Sequence, residues 1–162
     1  MKSTITTIES PIGPLFLRAR GGQLVTLSFH AFPPGDPAET DSANREILDR
    51  TKLQLEEYFA QRRTRFDLAL DLHGSEFYRR IWQALLEIPY GRTASYGELA
   101  ERAGVPGQAR AVGAANGANP IAIIVPCHRV IGADGSLVGY GGGLWRKQKL
   151  LDLESKSLSL AL

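Results

Sequence analysis

The chain has 162 residues, enough for one domain with a sizeable core or for two small ones. With 43% apolar and 22% charged residues it has a globular composition, and no apolar run approaches the ~18 residues of a membrane span. Net charge is only +2, with 9 Lys and Arg against 10 Asp and Glu in residues 1–73 and 10 against 7 in residues 74–162, which permits a polyanion on the C-terminal half without demanding one.

The N-terminus, "MKSTITTIES", lacks the apolar core of a signal peptide, and a single cysteine leaves no internal disulfide, so the expected compartment is the reducing cytoplasm. "STITTIE", "PLFLRAR" and "QLVTLSF" are short β-rich runs separated by "SPIG" and "GG", the punctuation of hairpins. A polar, proline-rich loop, "HAFPPGDPAET", follows. Ser42 is then placed to cap a helix to about Ala60, with Ile47, Leu48, Leu55, Tyr58 and Phe59 on one face. "FDLALDL" alternates as a half-buried strand, and "LHGS" reads as a linker. The expectation is an α+β protein: a structural α/β domain with an antiparallel sheet over residues 1–73, and a second domain over 74–162.

After the linker the pattern turns helical. "SEFYRRIWQALLEI" puts Phe77, Ile81, Leu85 and Ile88 on one stripe and ends at Pro89-Tyr90-Gly91. "SYGELAERAG" carries a capping box, Ser95 with Glu98, and "AGVPG" turns the chain into "QARAVGAAN". Two short helices around a glycine turn fit a helix-turn-helix or an ordinary helical hairpin, and these residues alone favour the hairpin. The second helix is mostly Ala, Gly and Val, with Gln108, Arg110 and Asn116 as exceptions. Such a helix suits a close, shallow insertion with one long wedge better than base-by-base reading.

The lone cysteine lies in "NPIAIIVPCHRVIG". A lone cysteine is ordinarily a small buried hydrophobe, but here its neighbours suggest chemistry. Pro126 ends the apolar run in a rigid turn, His128 can support a reactive thiol, and "GYGGG" at 139–143 offers backbone amides to a ligand. One Cys and three His without repeated spacing make a zinc site unlikely, and the chain lacks the signatures of papain-like hydrolases and phosphate-binding loops.

"PCHRV", preceded by "ARAVGAANGANP" and followed by "GYGGGLWRKQKLLDLE", resembles the O6-alkylguanine-DNA alkyltransferase family, and "IPYGRTASYGELA" is similar to its preceding segment. The matching motifs run from about Phe77 to Glu154. The resemblance implies a winged-helix-like C-terminal domain, over residues 74–162, that binds DNA and accepts the alkyl group. It implies Cys127 as the acceptor, His128 as a base acting through a water, Glu154 as the group orienting it, and Tyr96 as an aid to base flipping and leaving-group neutralisation. Asn119 would brace the turn before the cysteine. Backbone groups at Cys127, Val130 and Gly141 would contact the guanine edge, and Tyr140 would wall the pocket. Arg110 would be the finger that fills the extruded base's place, with Gln108 and Ala111 also at the DNA.

The implied partner is double-stranded DNA containing O6-alkylguanine, met by a monomer that is open to cooperative assembly on DNA. Neither cofactor, metal nor membrane is implied. Ala122 and Gly141 depart from the proline and serine of some members, and the single cysteine excludes the Cys-containing zinc site of some relatives. Two rival readings are a lesion-binding relative without transfer, against which Cys127 argues, and a helix-turn-helix regulator.

Overall fold

The computed structural model describes residues 2–33 and 41–161, with side chains to Ser155, and separates into two compact units, residues 1–72 and 73–162. Most of the proline-rich loop, residues 34–40, lies outside the described residues.

The first unit opens with β1 (Ser3–Ile8), β2 (Leu15–Arg20) and β3 (Gln23–Ser28), an antiparallel sheet in the order β1-β2-β3. Gly21 and Gly22, at φ 59° and 75°, form the two-residue hairpin between β2 and β3, where side-chained residues are strained. Leu15, Leu17, Leu24 and Leu27 are almost wholly buried, each such side chain contributing about 1.5–3 kcal/mol. They pack under α1 (Ser42–Phe59), whose Ile47, Leu48, Leu55 and Tyr58 are buried.

The cap of α1 is not Ser42. Asp41 holds the extended cap position and accepts from the amides of Ala43 and Asn44, while Ser42 is the first helical residue. Asn44 is buried and fastens helix to sheet, donating to Lys2 O at 3.1 Å and accepting from Gly22 N at 2.9 Å.

"FDLALDL" keeps its alternation, with Phe66, Leu68 and Leu70 half-buried. It joins the sheet only at one bridge, Leu24 to Leu70. The buried amide of Gln54 takes the place of a neighbouring strand, donating to Asp67 O at 3.0 Å and accepting from Asp67 N at 2.9 Å. Helix α1 thereby satisfies backbone groups that the sheet leaves open.

The second unit begins with α2 (Glu76–Leu86), capped by Ser75. Ile81, Leu85 and Ile88 are buried, but Phe77 is only half-buried, and Trp82 joins the core instead. The Trp82 ring lies over Gly74, where a Cβ would fall 2.6 Å from it, so "LHGS" is a packing position as well as a connection. Next come β4 (Ala94–Ser95), α3 (Tyr96–Arg102) with the full Ser95–Glu98 capping box, and α4 (Ala109–Gly117). A 3-10 turn, Cys127–Arg129, leads into β5 (Val130–Ile131), and α5 (Leu144–Ala161) follows. Strands β4 and β5 pair in parallel, Ala94 with Val130, a contact between distant segments that helical periodicity does not announce. No helix among the described residues is long and apolar enough to cross a membrane.

Candidate active site

Helices α3 and α4, joined by a turn with Gly104 and Gly107 at φ 78° and 81°, form the helix-turn-helix. Helix α4 buries Val112, Ala115 and Asn116 and leaves Gln108, Arg110 and Ala111 exposed near its start. Gln108 occupies the N-cap position without a side-chain cap bond. The Tyr96 ring rests 3.7 Å from where a Gly113 Cβ would stand, which accounts for one of the small residues in α4. Trp82 donates its indole N–H to Ala115 O at 2.8 Å, a second donor there beside the Ala118 amide, and so ties α4 to α2.

From α4 the chain folds tightly toward the cysteine. Asn119 donates to Val125 O at 2.7 Å and accepts from Ile121 N at 3.0 Å, so its side chain spans the turn. Inside that span Ile123 sits at φ 72°, a left-handed conformation that is strained for a β-branched residue. Pro126, at φ −83° and ψ 64°, centres a three-residue turn in which Cys127 N donates to Val125 O at 2.8 Å.

Cys127 is buried, with the Asn119 and Tyr140 side chains among the groups that bear on its sulfur. Burial pushes the thiol above its ordinary value, against the opposing pull of Asn119, the Lys147 charge and Tyr140. At neutral pH the sulfur is therefore a protonated thiol and needs a base.

The adjacent His128 is fully buried, and its Nε2 lies 2.7 Å from Glu154 Oε2. Burial lowers the imidazole below its ordinary value, only partly offset by Glu154. For Glu154, burial acts upward, but the His128 hydrogen bond and the bonds and charge of Arg129 outweigh it and hold the carboxyl far below the usual range. An ionised carboxylate can only accept, so a neutral imidazole carries its proton on Nε2. Nδ1 is then an acceptor, and among the described residues it has no hydrogen-bond partner.

The remaining residues named from the sequence divide by location. The Val130 amide is engaged with Cys127 O. Tyr140 is half-buried, and burial, together with the neighbouring Cys127 and the Glu154 carboxylate, pushes its hydroxyl well above the ordinary tyrosine value. Gly141 is exposed, and a Cβ there would meet nothing within 4 Å, so the serine of some relatives would fit sterically. Arg110, Gln108 and Ala111 lie on the exposed face of α4 and are not among the groups that bear on the sulfur.

Sequence reading missed two residues. Lys147 is completely buried, donating to Val138 O at 2.9 Å and Gly139 O at 3.3 Å. Arg129 is 7% exposed and grips Glu154. Their only sequence signal is their place inside "PCHRV" and "WRKQKLL". Among the described residues no group of three His, Cys, Asp or Glu is arranged to hold a metal.

A buried thiol beside an imidazole–carboxylate pair, in the unit that carries the helix-turn-helix, has the groups a nucleophilic cysteine needs: a thiol, a base and an orienting carboxylate. Residues 76–156 match the family of the 6-O-methylguanine DNA methyltransferase DNA binding domain, and residues 4–72 match its ribonuclease-like domain. The chain belongs to the O6-methylguanine DNA methyltransferase family. A methylated-DNA–protein-cysteine methyltransferase of Mycolicibacterium paratuberculosis is 55% identical over 152 residues, covering 93% of this chain and 91% of its own. One from Methanosarcina acetivorans is 48% identical over 90% of this chain and 94% of its own. The crystal structure of Mycobacterium tuberculosis OGT in complex with DNA superposes with a TM-score of 0.85 at 51% identity, covering 97% of this chain and 94% of that one.

Proposed function

We propose that this chain repairs DNA by moving the alkyl group of O6-alkylguanine, and less readily of O4-alkylthymine, onto Cys127 in one irreversible turnover. It is a DNA alkyl-damage repair methyltransferase whose acceptor is its own cysteine. The observation that carries the reading is the order of groups behind the sulfur. Cys127 is a buried thiol, His128 beside it presents a bare Nδ1, and Glu154 holds the other ring nitrogen at 2.7 Å. The arrangement follows the nucleophile–base–orienter logic of a triad.

Double-stranded DNA lies against α4, with Gln108 and Ala111 near the backbone. The damaged nucleotide is extruded, since its reacting atom is inaccessible in the stack, and Arg110 occupies the vacated space. Backbone groups of Cys127, Val130 and Gly141 read the guanine edge, and Tyr140 walls the pocket. His128 takes the thiol proton through a bridging water, and sulfur attacks the alkyl carbon. The S–C bond forms as the C–O6 bond breaks and its electron pair leaves with guanine. The Tyr96 hydroxyl, which donates to Val138 O at 3.2 Å, turns to guanine N3 and neutralises the leaving base. A thioether is a poor leaving group, so the protein acts once. The protein works as a cytoplasmic monomer, with residues 1–73 as its structural domain.

The test is incubation with a duplex containing O6-methylguanine, followed by mass spectrometry of the protein. Wild type gains the mass of CH2 on the Cys127 peptide. Cys127→Ser binds the lesion without gaining mass, because a neutral hydroxyl is a far weaker nucleophile than a thiolate. Stoichiometric transfer to that variant would sink the assignment.

A further inference from the structure

Arg129 has no step in the reaction above, yet it is 7% exposed and makes three hydrogen bonds. Its Nε donates to Glu154 Oε1 at 2.8 Å and its Nη2 to Glu154 Oε2 at 3.0 Å, a two-armed grip on both oxygens. Its Nη1 donates to Ile88 O at 2.8 Å, which anchors the guanidinium just beyond the end of α2. The Tyr90 ring lies 5.7 Å from the guanidinium carbon. Burying a guanidinium is costly unless it is paired and fully bonded, and the planar fork of arginine suits a carboxylate as lysine does not.

The gripped carboxylate is the one that orients His128. Oε2 accepts from Arg129 Nη2 and lies 2.7 Å from His128 Nε2, so one oxygen serves both partners. The fork fixes the plane of the carboxylate, and through it the ring. A lone buried carboxylate would also draw a second proton onto the imidazole. That proton would occupy Nδ1.

We propose that Arg129 is a positioning residue: its fork holds Glu154 on His128 Nε2, and its charge keeps Nδ1 free of a proton and open toward the thiol. This inference rests on the reading of His128 as the base. The groups that act on His128 are Glu154 and Lys147 from α5 and Arg129 from its own turn, with the Cys127 thiol next to it in sequence. Tyr140, from the glycine-rich loop, bears on both Cys127 and Glu154. Burial lowers His128 first, Glu154 raises it, and Arg129 and Lys147 lower it again. Loss of Arg129 therefore moves the imidazole upward, and the base is lost to protonation at higher pH than in wild type.

The experiment measures methyl transfer from an O6-methylguanine duplex against pH for full-length wild type, Arg129→Met and Arg129→Lys. In Arg129→Met the acid limb moves up by about one pH unit, so the rate defect is largest at low pH and shrinks as pH rises. Arg129→Lys restores charge without the fork: its limb returns to the wild-type position, and its rate is lower at every pH. A loss in Arg129→Met by the same factor at all pH values would make Arg129 a structural support only, and overturn the proposal.

The wild-type protein supplies a second measurement that survives misfolding of either variant. Nitrogen-15 NMR of the His128 ring should find the proton on Nε2 and a bare Nδ1, and a proton on Nδ1 would overturn the proposal. Failure of wild type itself to take the methyl group would sink the proposed function instead. The ring tautomer would still decide the role of Arg129.

Discussion

Tyr96 and Lys147 meet on one acceptor, the carbonyl oxygen of Val138, at 3.2 and 2.9 Å. Helix α3 and helix α5 are thereby tied to the same point of the loop that leads into Tyr140 and Gly141. Burial lowers the Lys147 amine below its ordinary value, against the pull of Cys127, and the buried ammonium is held by the two loop carbonyls.

Because Val138 O keeps a donor when either partner is lost, Tyr96→Phe and Lys147→Met should be non-additive. Each single variant leaves one bond on the oxygen, and the double variant leaves none. The double variant should lose about 1 kcal/mol more than the sum of the singles. Urea denaturation of the four proteins measures this, and additive losses would mean that the loop is held elsewhere.

Acid should destabilise the protein in two stages. His128 has a folded value below its ordinary 6.5, so the unfolded chain binds its proton first and stability falls as pH drops below about 6.5. Glu154 is depressed from its ordinary 4.5, so its contribution is complete above that value and is lost as pH falls below it toward the folded value. Glu154→Gln should cost about 3–5 kcal/mol at neutral pH, the range for breaking a buried ion pair. The gap to wild type should narrow below pH 4.5, where wild type protonates on unfolding. A gap constant with pH would place the loss in packing and not in charge.

Arg110 should matter only where a base must be extruded. Arg110→Ala should slow repair of duplex O6-methylguanine far more than reaction with the free modified base, since flipping costs a few kcal/mol and the free base needs none. The salt dependence of binding should be unchanged, because a finger in the stack neutralises no phosphate. Equal defects on duplex and free base would remove Arg110 from flipping.

Trp82→Phe should remove both the bond to Ala115 O and the outer indole atoms that lie over Gly74. A thermal melt should register a loss of at least about 1 kcal/mol, the share of the hydrogen bond, with the lost contact added to it. Cys127 alkylation by free O6-methylguanine base should be nearly unchanged, with a larger deficit on DNA, which α4 must approach. Equal losses on both substrates would mean that the indole bond supports the thiol site as well.

Patterns short enough to be local were legible in the sequence. Three β-rich runs punctuated by glycine, the Ser95–Glu98 capping box and the α1 stripe depend on neighbours within a few residues, and the folded chain carries each of them. The strand expected at "FDLALDL" shrinks to one bridge, where Leu24 bonds Ala69 O and Asp71 N, because Gln54 of α1 takes the backbone groups of Asp67 further along. Cys127, His128 and Glu154 came from the resemblance in motif order. The 2.7 Å contact that lets one ring nitrogen stay bare belongs to the tertiary structure alone. The same holds for Arg129 and Lys147, which look like surface charges in sequence. A long cation can be buried only where distant segments bring it acceptors. Here Glu154 and Ile88 O meet Arg129, and Val138 O and Gly139 O meet Lys147. Spacing along a chain carries no information about such convergence; packing of α2, α5 and the loop between them and the cysteine turn decides it.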